Sequence, residues 1–388
     1  MSRIRSWLAL VLVCLAPVIV LEGGLRIFRP LPGPPAGAES YHRFLPGWNQ
    51  SGTPPVDWAY AYGPLNGVSP NTDPVRVNRY GFLYPEERGQ RRSAKELCIA
   101  VLGGSTVECI ALRPENRWPA VLERLLGEAL PGRSVAVLNL GISDQGTWTH
   151  LANVAQHLPT LAPDLTILML GANDLIRSRG DYEHLLMGNS VRSMTGPGLF
   201  ARAKYYVRDE MQLGRYIQKA RFGGQPYFSP SHDLLERLPE LPSKPSFKPE
   251  ALDDYENAMV SIAALAQAHG SRVYFTTQPM LWKQENSPEE EAVFWLLKGE
   301  YEGRPYRRRP GDSASLLETL NARLLDTCER RGYPCLDLAG SIPRSLGYFY
   351  DDVHFNDAGA RLVAEQMAEA LLASGVIGVG DTASPGSG

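Results

Sequence analysis

Ten residues, Leu97-Cys98-Ile99-Ala100-Val101-Leu102-Gly103-Gly104-Ser105-Thr106, constrain the fold of this chain more than any other stretch. The apolar run reads as a buried strand, and the two glycines that follow cannot continue it. A helical pattern resumes beyond Thr106 and is clear from Asn116 to Leu130, where Trp118, Val121, Leu122, Leu125 and Leu126 recur at helical spacing. Ser105 therefore falls on a strand-turn-helix bend. Its hydroxyl can stand clear of the sheet there, and its backbone N–H lies near a helix N-terminus, where such groups can stabilise a developing oxyanion. The same residues also make an ordinary βα turn, so the partners of Ser105 decide its meaning.

The alternation of strand and helix continues down the chain. Ser134 to Leu140 reads as a second strand, Thr149 to Leu161 as a helix, and Asp164 to Leu170 as a third strand ending in Gly171-Ala172-Asn173-Asp174. Ala251 to His269 is a helix with Leu252, Tyr255, Met259, Ile262 and Ala266 on one face, and Arg272 to Thr277 a fourth strand. Ser315 to Arg331 is a further helix, Cys335 to Leu338 a short fifth strand, and the last helix runs from an Asn356 N-cap to Leu372. This order predicts a flavodoxin-like three-layer α/β/α fold with a mostly parallel five-stranded sheet. At 388 residues, 44% of them hydrophobic, the chain can bury the core such a fold needs. A net charge of -3 and a pI near 6.2 argue against a nucleic-acid binder.

The remaining stretches organise the rest. Arg3 and Arg5 precede an uninterrupted run of 15 apolar residues, Trp7 to Leu21, and continuation to Phe28 approaches the roughly 20 residues that span a bilayer. Residues 1–28 are expected to form an uncleaved signal anchor rather than a cleaved signal or a buried helix. The catalytic domain would then lie outside the cytoplasmic membrane. Residues 29–96, dense in proline, glycine and tyrosine, read as a stalk and lead-in. Residues 97–374 form the expected catalytic domain, with insertions at 176–250 and 283–312 over the carboxyl edge of the sheet, and 375–388 form a disordered tail. Arg307-Arg308-Arg309 reads as a solvated loop before it reads as a seat for an acidic glycan or lipid headgroup. Of the five cysteines, at 14, 98, 109, 328 and 335, Cys328 and Cys335 flank a turn and either pair in an oxidising compartment or remain two buried thiols.

In an open parallel sheet, ligands bind outside the carboxyl ends of the strands. Ser105 follows the first strand, Gly141-Ile142-Ser143-Asp144-Gln145-Gly146 the second, and Asn173-Asp174 the third; Asp351-Asp352-Val353-His354 lies beyond the fifth. A nucleophile, a base and an orienting carboxylate thus converge from separate segments on one rim.

These blocks resemble those of the SGNH, or GDSL-type, hydrolase superfamily over roughly residues 97 to 373. Gly103-Gly104-Ser105-Thr106 is similar to the first block, with Gly104 where the family usually has aspartate; Gly171-Ala172-Asn173-Asp174 matches Gly-x-Asn-Asp, and Asp351-x-x-His354 matches the final block. Counted from Asn139, the second block places its oxyanion residue at Asp144, with Gly141 and Gly146 as alternatives on either side. The resemblance implies an ester hydrolase in which Ser105 attacks, His354 acts as base and then acid, and Asp351 orients the imidazole. It implies an oxyanion hole of Ser105, Asp144 and Asn173, with no metal or organic cofactor. Asp174 would fix the Asn173 loop, and Asp352 stands as the alternative to Asp351. The expected substrate is an O-acyl ester of an envelope or extracellular glycan. An O-acyltransferase with the same site and a non-catalytic glycan-binding or assembly protein are the competing readings. A histidine base also predicts that kcat/KM falls as pH drops through roughly 6 to 7.

Overall fold

The computed structural model describes residues 96–143, 145–177, 246–301 and 304–377, with shorter stretches at 20–25, 51–52, 65–69, 75–76, 82–83 and 238–240 and isolated positions 17, 27, 28, 213 and 235. Most of the expected anchor, stalk and first insertion, together with Asp144 and residues 378–388 of the tail, lie outside the described residues, whereas Ile377 is buried against the core and not in a disordered tail. Among the described residues no helix is long and apolar enough to cross a membrane.

The central sheet contains β1 (Glu96–Gly103), β2 (Ser134–Asn139), β3 (Leu165–Met169), β4 (Arg272–Thr276) and β7 (Cys335–Leu336), in the order β2-β1-β3-β4-β7. Every neighbouring pair is parallel. The chain starts in the middle of the sheet and reverses direction once, which opens a crevice at the carboxyl end of β1. Gly103 stands opposite Met169, Met169 opposite Thr276, and Thr276 opposite Leu336, so four strands end on one line. The segments that follow them must therefore meet.

β1 is buried from Leu97 to Gly103, on both faces, as its unbroken apolar sequence requires. The covering helices form two packed groups. In one, α3 (Thr147–Leu161) packs on α5 (Pro249–Ala268), and α5 on α7 (Pro310–Arg331); in the other, α2 (Trp118–Ala129) packs on α9 (Asp357–Ala373). Glu256 on α5 receives Arg323 Nε at 2.8 Å and Arg330 Nη2 at 2.7 Å from α7, and hydrogen bonding to Arg330 holds its carboxyl below the usual range even against burial.

Four helix starts differ from expectation for reasons of backbone chemistry, among them α5, which Pro249 opens two residues before Ala251. Residues 114–116 form a separate 3₁₀ turn, and α2 begins at Trp118 with Pro119 in its first turn. Proline likewise opens α7 at Pro310, five residues before Ser315, because its fixed φ suits the first helical position. α3 starts at Thr147, where its backbone N–H donates to Asp174. The fifth strand is shorter than expected: Asp337 turns its carboxylate onto Gly340 N and starts α8 (Leu338–Ser341). Asn356 caps α9 as expected, accepting from Gly359 N at 2.9 Å.

The second insertion is described apart from residues 302 and 303. It holds α6 (Pro288–Glu291), opened by a capping box between Ser287 and Glu290, and a hairpin of β5 (Lys298–Tyr301) and β6 (Arg304–Arg307). The arginine run is absorbed by the protein itself. Arg307 lies 3.8 Å from Glu291, Arg309 lies 3.1 Å from Glu240, and Arg308 is completely buried.

Candidate active site

Ser105 is the first residue of α1 (Ser105–Glu108), directly after β1 and Gly104. This one-turn helix ends at Cys109, whose left-handed backbone (φ 49) lets its N–H return to Ser105 O at 2.9 Å. Trp118 Nε1 donates to Thr106 O at 3.0 Å from the start of α2. The serine therefore sits on a bend held from both sides.

His354 and Asp351 arrive on the loop between α8 and α9. Phe349 and Phe355 bridge across the base of this loop, Tyr350 N donates to His354 O at 3.0 Å, and Asn356 closes it as the N-cap of α9. Gly359 is a glycine by necessity, because a Cβ there would strike the Tyr348 carbonyl that accepts from Asn356 N.

The three side chains meet. His354 Nε2 lies 2.6 Å from Ser105 Oγ, and His354 Nδ1 lies 2.8 Å from both Asp351 carboxylate oxygens. Asp351 is also fixed by its own loop: Oδ1 accepts from Val353 N at 3.1 Å and from His354 N at 2.9 Å. Asp352 faces elsewhere, accepting from Trp282 Nε1 at 2.9 Å, Trp295 N at 2.7 Å and Leu296 N at 3.2 Å. The structure thus pairs His354 with Asp351 and not with Asp352.

Electrostatics single out the same histidine. Burial pushes His150 and His157 down to about 4, which leaves both neutral at ordinary pH. Burial also opposes a charged His354, but the adjacent Asp351 carboxylate outweighs it and raises the imidazole above its ordinary value. Asp351 is held below the usual carboxylate range: burial would raise it, but the His354 charge and the hydrogen bonds it accepts prevail. Asp352 is pushed up to about 7 by burial and the Asp351 charge, against three N–H donors that favour its ionised form. Cys109, near the serine in sequence, is no rival nucleophile, since burial pushes its thiol up to about 12.

The second block forms a loop strapped to α1. Asn139 Nδ2 donates to Val107 O at 3.1 Å, while its Oδ1 accepts from Gly141 N at 3.0 Å. Ile142 N donates to Gly103 O at 3.0 Å, and the buried Glu108 carboxylate accepts from both Ser143 N and Ser143 Oγ. The N–H groups of residues 141 to 143 are thereby committed. Gly141 does not fit the role of alternative oxyanion donor: its N–H faces Asn139, and its missing side chain lets the loop lie on α1. Gly146 lies farther along, as the N-cap of α3, with its Cα against Asp174; Asp144 is outside the described residues.

A Cβ on Gly141 would overlap Glu108 N and stand 2.7 Å from Val107 C, both backbone atoms of α1 that cannot move aside. Gly141→Ala should therefore cost about 1–3 kcal/mol of stability, as overpacking does, read as a lower midpoint in urea. An unchanged midpoint would mean that the loop does not rest on α1.

Asn173, at the start of α4 (Ala172–Arg177), donates from Nδ2 to Gln145 O at 3.0 Å. An amide nitrogen carries a second N–H, which remains for a ligand. Asn173 lies against Gly104, so close that a Cβ on Gly104 would overlap its amide nitrogen. Gly104 thus leaves room for the amide of Asn173. Asp174 plays the expected bracing part, accepting from Thr147 N at 2.9 Å and Thr147 Oγ1 at 2.8 Å, with burial raising its pKa.

Reasoning from sequence did not single out Glu108, Gln145 or Trp295. Glu108 and Gln145 stand next to recognised motifs, and a carboxylate among buried residues one turn after a candidate nucleophile is a signal that could have been read. Trp295 sits in an insertion with no strand or helix period and left no such signal.

A buried Ser-His-Asp hydrogen-bonded chain at the carboxyl rim of a doubly wound sheet defines a class of serine hydrolases. The model of the GDSL-like lipase and acylhydrolase family matches residues 101–362, more than half of the chain, and the protein belongs to that family of carboxylic-ester hydrolases. An arylesterase from Vibrio mimicus is 38% identical over 79 residues, which are 20% of this chain and 38% of that protein. The chain thus matches well under half the length of that relative. Among solved structures, an acetylxylan esterase from Geobacillus stearothermophilus is 14% identical with a TM-score of 0.41, covering 72% of this chain and 94% of that one. A GDSL-like lipase from Bacteroides thetaiotaomicron is 14% identical with a TM-score of 0.38, covering 75% and 91%.

Proposed function

We propose that this protein is a serine ester hydrolase that removes O-acyl groups from an envelope or extracellular glycan, tethered to the outer face of the cytoplasmic membrane by its N-terminal segment. The observation that carries the chemistry is the continuous chain of contacts from Ser105 Oγ through His354 to Asp351, at 2.6 and 2.8 Å. Ser105 Oγ attacks the ester carbonyl while His354 Nε2 takes its proton, and Asp351 stabilises the imidazolium. The oxyanion is received by Ser105 N–H, the second Asn173 N–H, and a backbone N–H from residues 144 to 146. Collapse expels the alcohol, protonated by His354, and a water activated by the same imidazole releases the acid.

The substrate and location rest on further features. His354 must protonate the departing alcohol, so the alcohol lies beside it. There the half-buried rings of Tyr350 and Trp295 stand nearly parallel to the imidazole, with centroids 5.5 and 6.3 Å away. Such flat walls suit a sugar ring. The tether is supported by Val20, Ile27 and Phe28, at 74%, 74% and 82% exposure, helical residues at the end of the apolar run and just beyond it. The Cys328–Cys335 disulfide, with Cα atoms 6.3 Å apart, supports an oxidising compartment.

The test is acid release from an O-acetylated polysaccharide. Free acetate should appear with the native protein, disappear with Ser105→Ala, and stay constant as unacetylated acceptor glycan is added. Acetate replaced by newly acylated acceptor would make the protein a transferase, and no acid release would remove the glycan assignment.

The pH dependence follows from the sign of the His354 shift. The reactive form is neutral imidazole, and its pKa is raised, so kcat/KM should fall on acidification along a one-proton limb centred above about 6.5, the ordinary histidine value. This places the limb at or beyond the upper part of the range expected from sequence. A profile flat down to pH 5, with the fold intact by circular dichroism, would exclude His354 as the base.

A further inference from the structure

Both Asp351 oxygens lie 2.8 Å from His354 Nδ1, and one of them has a further partner. Oδ2 also accepts from Trp295 Nε1 at 2.8 Å, across 56 residues of sequence, and Trp295 belongs to the insertion between β4 and α7. An indole N–H is a donor only, so its contact with a carboxylate has one direction.

The stretch of chain carrying Trp295 is gripped from two sides. Asp352 accepts from Trp295 N and Leu296 N at 2.7 and 3.2 Å, while Leu296 O accepts from Arg308 Nη2 at 3.1 Å and Leu297 O from Arg308 N at 2.7 Å. Arg308 is itself completely buried, with Nε on Ser313 Oγ at 3.2 Å. Asp352 is locked in turn, since its backbone carbonyl accepts from Leu281 N at 2.8 Å and its Oδ1 from Trp282 Nε1 at 2.9 Å. A buried carboxylate on Trp295 and Leu296, and a buried guanidinium on Leu296 whose own backbone N–H holds Leu297, are more than a surface loop requires. Their effect is to fix one indole against Asp351.

We infer that Trp295 is a positioning residue for the Asp351–His354 pair, and that Asp352 and Arg308 anchor the insertion segment that delivers it. The indole N–H holds the carboxylate in the plane that faces His354 Nδ1 and draws off part of its negative charge. The inference rests on the ester-hydrolase reading of Ser105, His354 and Asp351. It gives Asp352 a part distinct from that of Asp351, and it makes the insertion a support for the site as well as a cover over it.

Loss of the donor has a signed consequence. Without the indole N–H, Asp351 carries its full charge toward His354 and favours the imidazolium more strongly. The acid limb of kcat/KM should then move up in pH, while the plateau falls as the carboxylate gains freedom. The charged groups acting on His354 are Asp351 and Asp352; on the insertion, Lys283 is paired with Glu290 at 2.7 Å, Arg307 with Glu291 at 3.8 Å, and Arg308 is bonded as above. None of these is altered by Trp295→Phe, which keeps a flat ring and removes the N–H.

The experiment measures pH–rate profiles of the full chain and of Trp295→Phe on a neutral aryl ester. The variant should lose about ten- to a hundredfold of plateau kcat/KM, the loss expected for one hydrogen bond to a charged group, and its limb should lie at higher pH. A limb that stays in place or moves down overturns the inference. In the unsubstituted protein, the indole 1H–15N resonance of Trp295 should titrate with the same midpoint as the His354 imidazole, a readout independent of how the variant folds. An indole resonance that ignores the His354 titration also overturns it. Activity that does not depend on Ser105 would instead remove the underlying reading, which the Ser105→Ala control detects separately.

Discussion

Ser105→Ala is expected to lower kcat/KM for a short-chain aryl ester by about 10⁴- to 10⁶-fold, leaving only what binding and the oxyanion donors supply. The size follows from the geometry. Ser105 Oγ is the atom 2.6 Å from His354 Nε2, so deleting it leaves the base with nothing to deprotonate but water. His354→Ala should fall to a similar floor, and the double variant should fall little further, because the two act as a unit. Losses that multiplied in the double variant would show that the two side chains work independently. The fold should survive, since Ser105 is half-buried and its side chain closes no helix cap. A thermal melt within a few degrees of the parent checks this.

The second large effect belongs to Asp351→Asn, expected to reduce kcat/KM by about 10³- to 10⁴-fold. Asparagine keeps the shape but can place its NH₂ group toward His354 Nδ1, which favours the tautomer unable to accept a proton at Nε2. It also turns a donor toward Trp295 Nε1 or the loop N–H groups, where only acceptors fit. The remaining activity should show its acid limb at lower pH, because the charge that raises His354 is gone. Asp352→Asn, by contrast, leaves that contact in place, so its activity should exceed that of Asp351→Asn. An unshifted limb in Asp351→Asn, or the reverse ranking of the two variants, would transfer the orienting role to Asp352.

The core of this arrangement is legible in the chain because its signals are local. An apolar run broken by Gly103-Gly104 fixes the end of β1 and hence the place of Ser105, and Asn356 fixes the start of α9 and hence the loop holding His354. Parallel topology then brings the strand ends to one rim without knowledge of any contact. What could not be read is set by tertiary packing. The hairpin Lys298–Tyr301 and Arg304–Arg307 shows no alternation of apolar and polar residues, and Trp295 acquires its role through Arg308 of the same insertion and through Asp352, 57 residues away in sequence. Likewise, Gly141 looks like a flexible oxyanion residue in sequence, but the backbone of α1 lies directly against it.

The central claim is that Ser105 is the nucleophile, made so by His354. It is tested most directly by treating the full chain with a fluorophosphonate and locating the adduct by peptide mass spectrometry. The prediction is a single phosphonylated residue, Ser105, with labelling abolished in Ser105→Ala and slowed by orders of magnitude in His354→Ala. An adduct on another residue, or labelling that persists undiminished in Ser105→Ala, would contradict it.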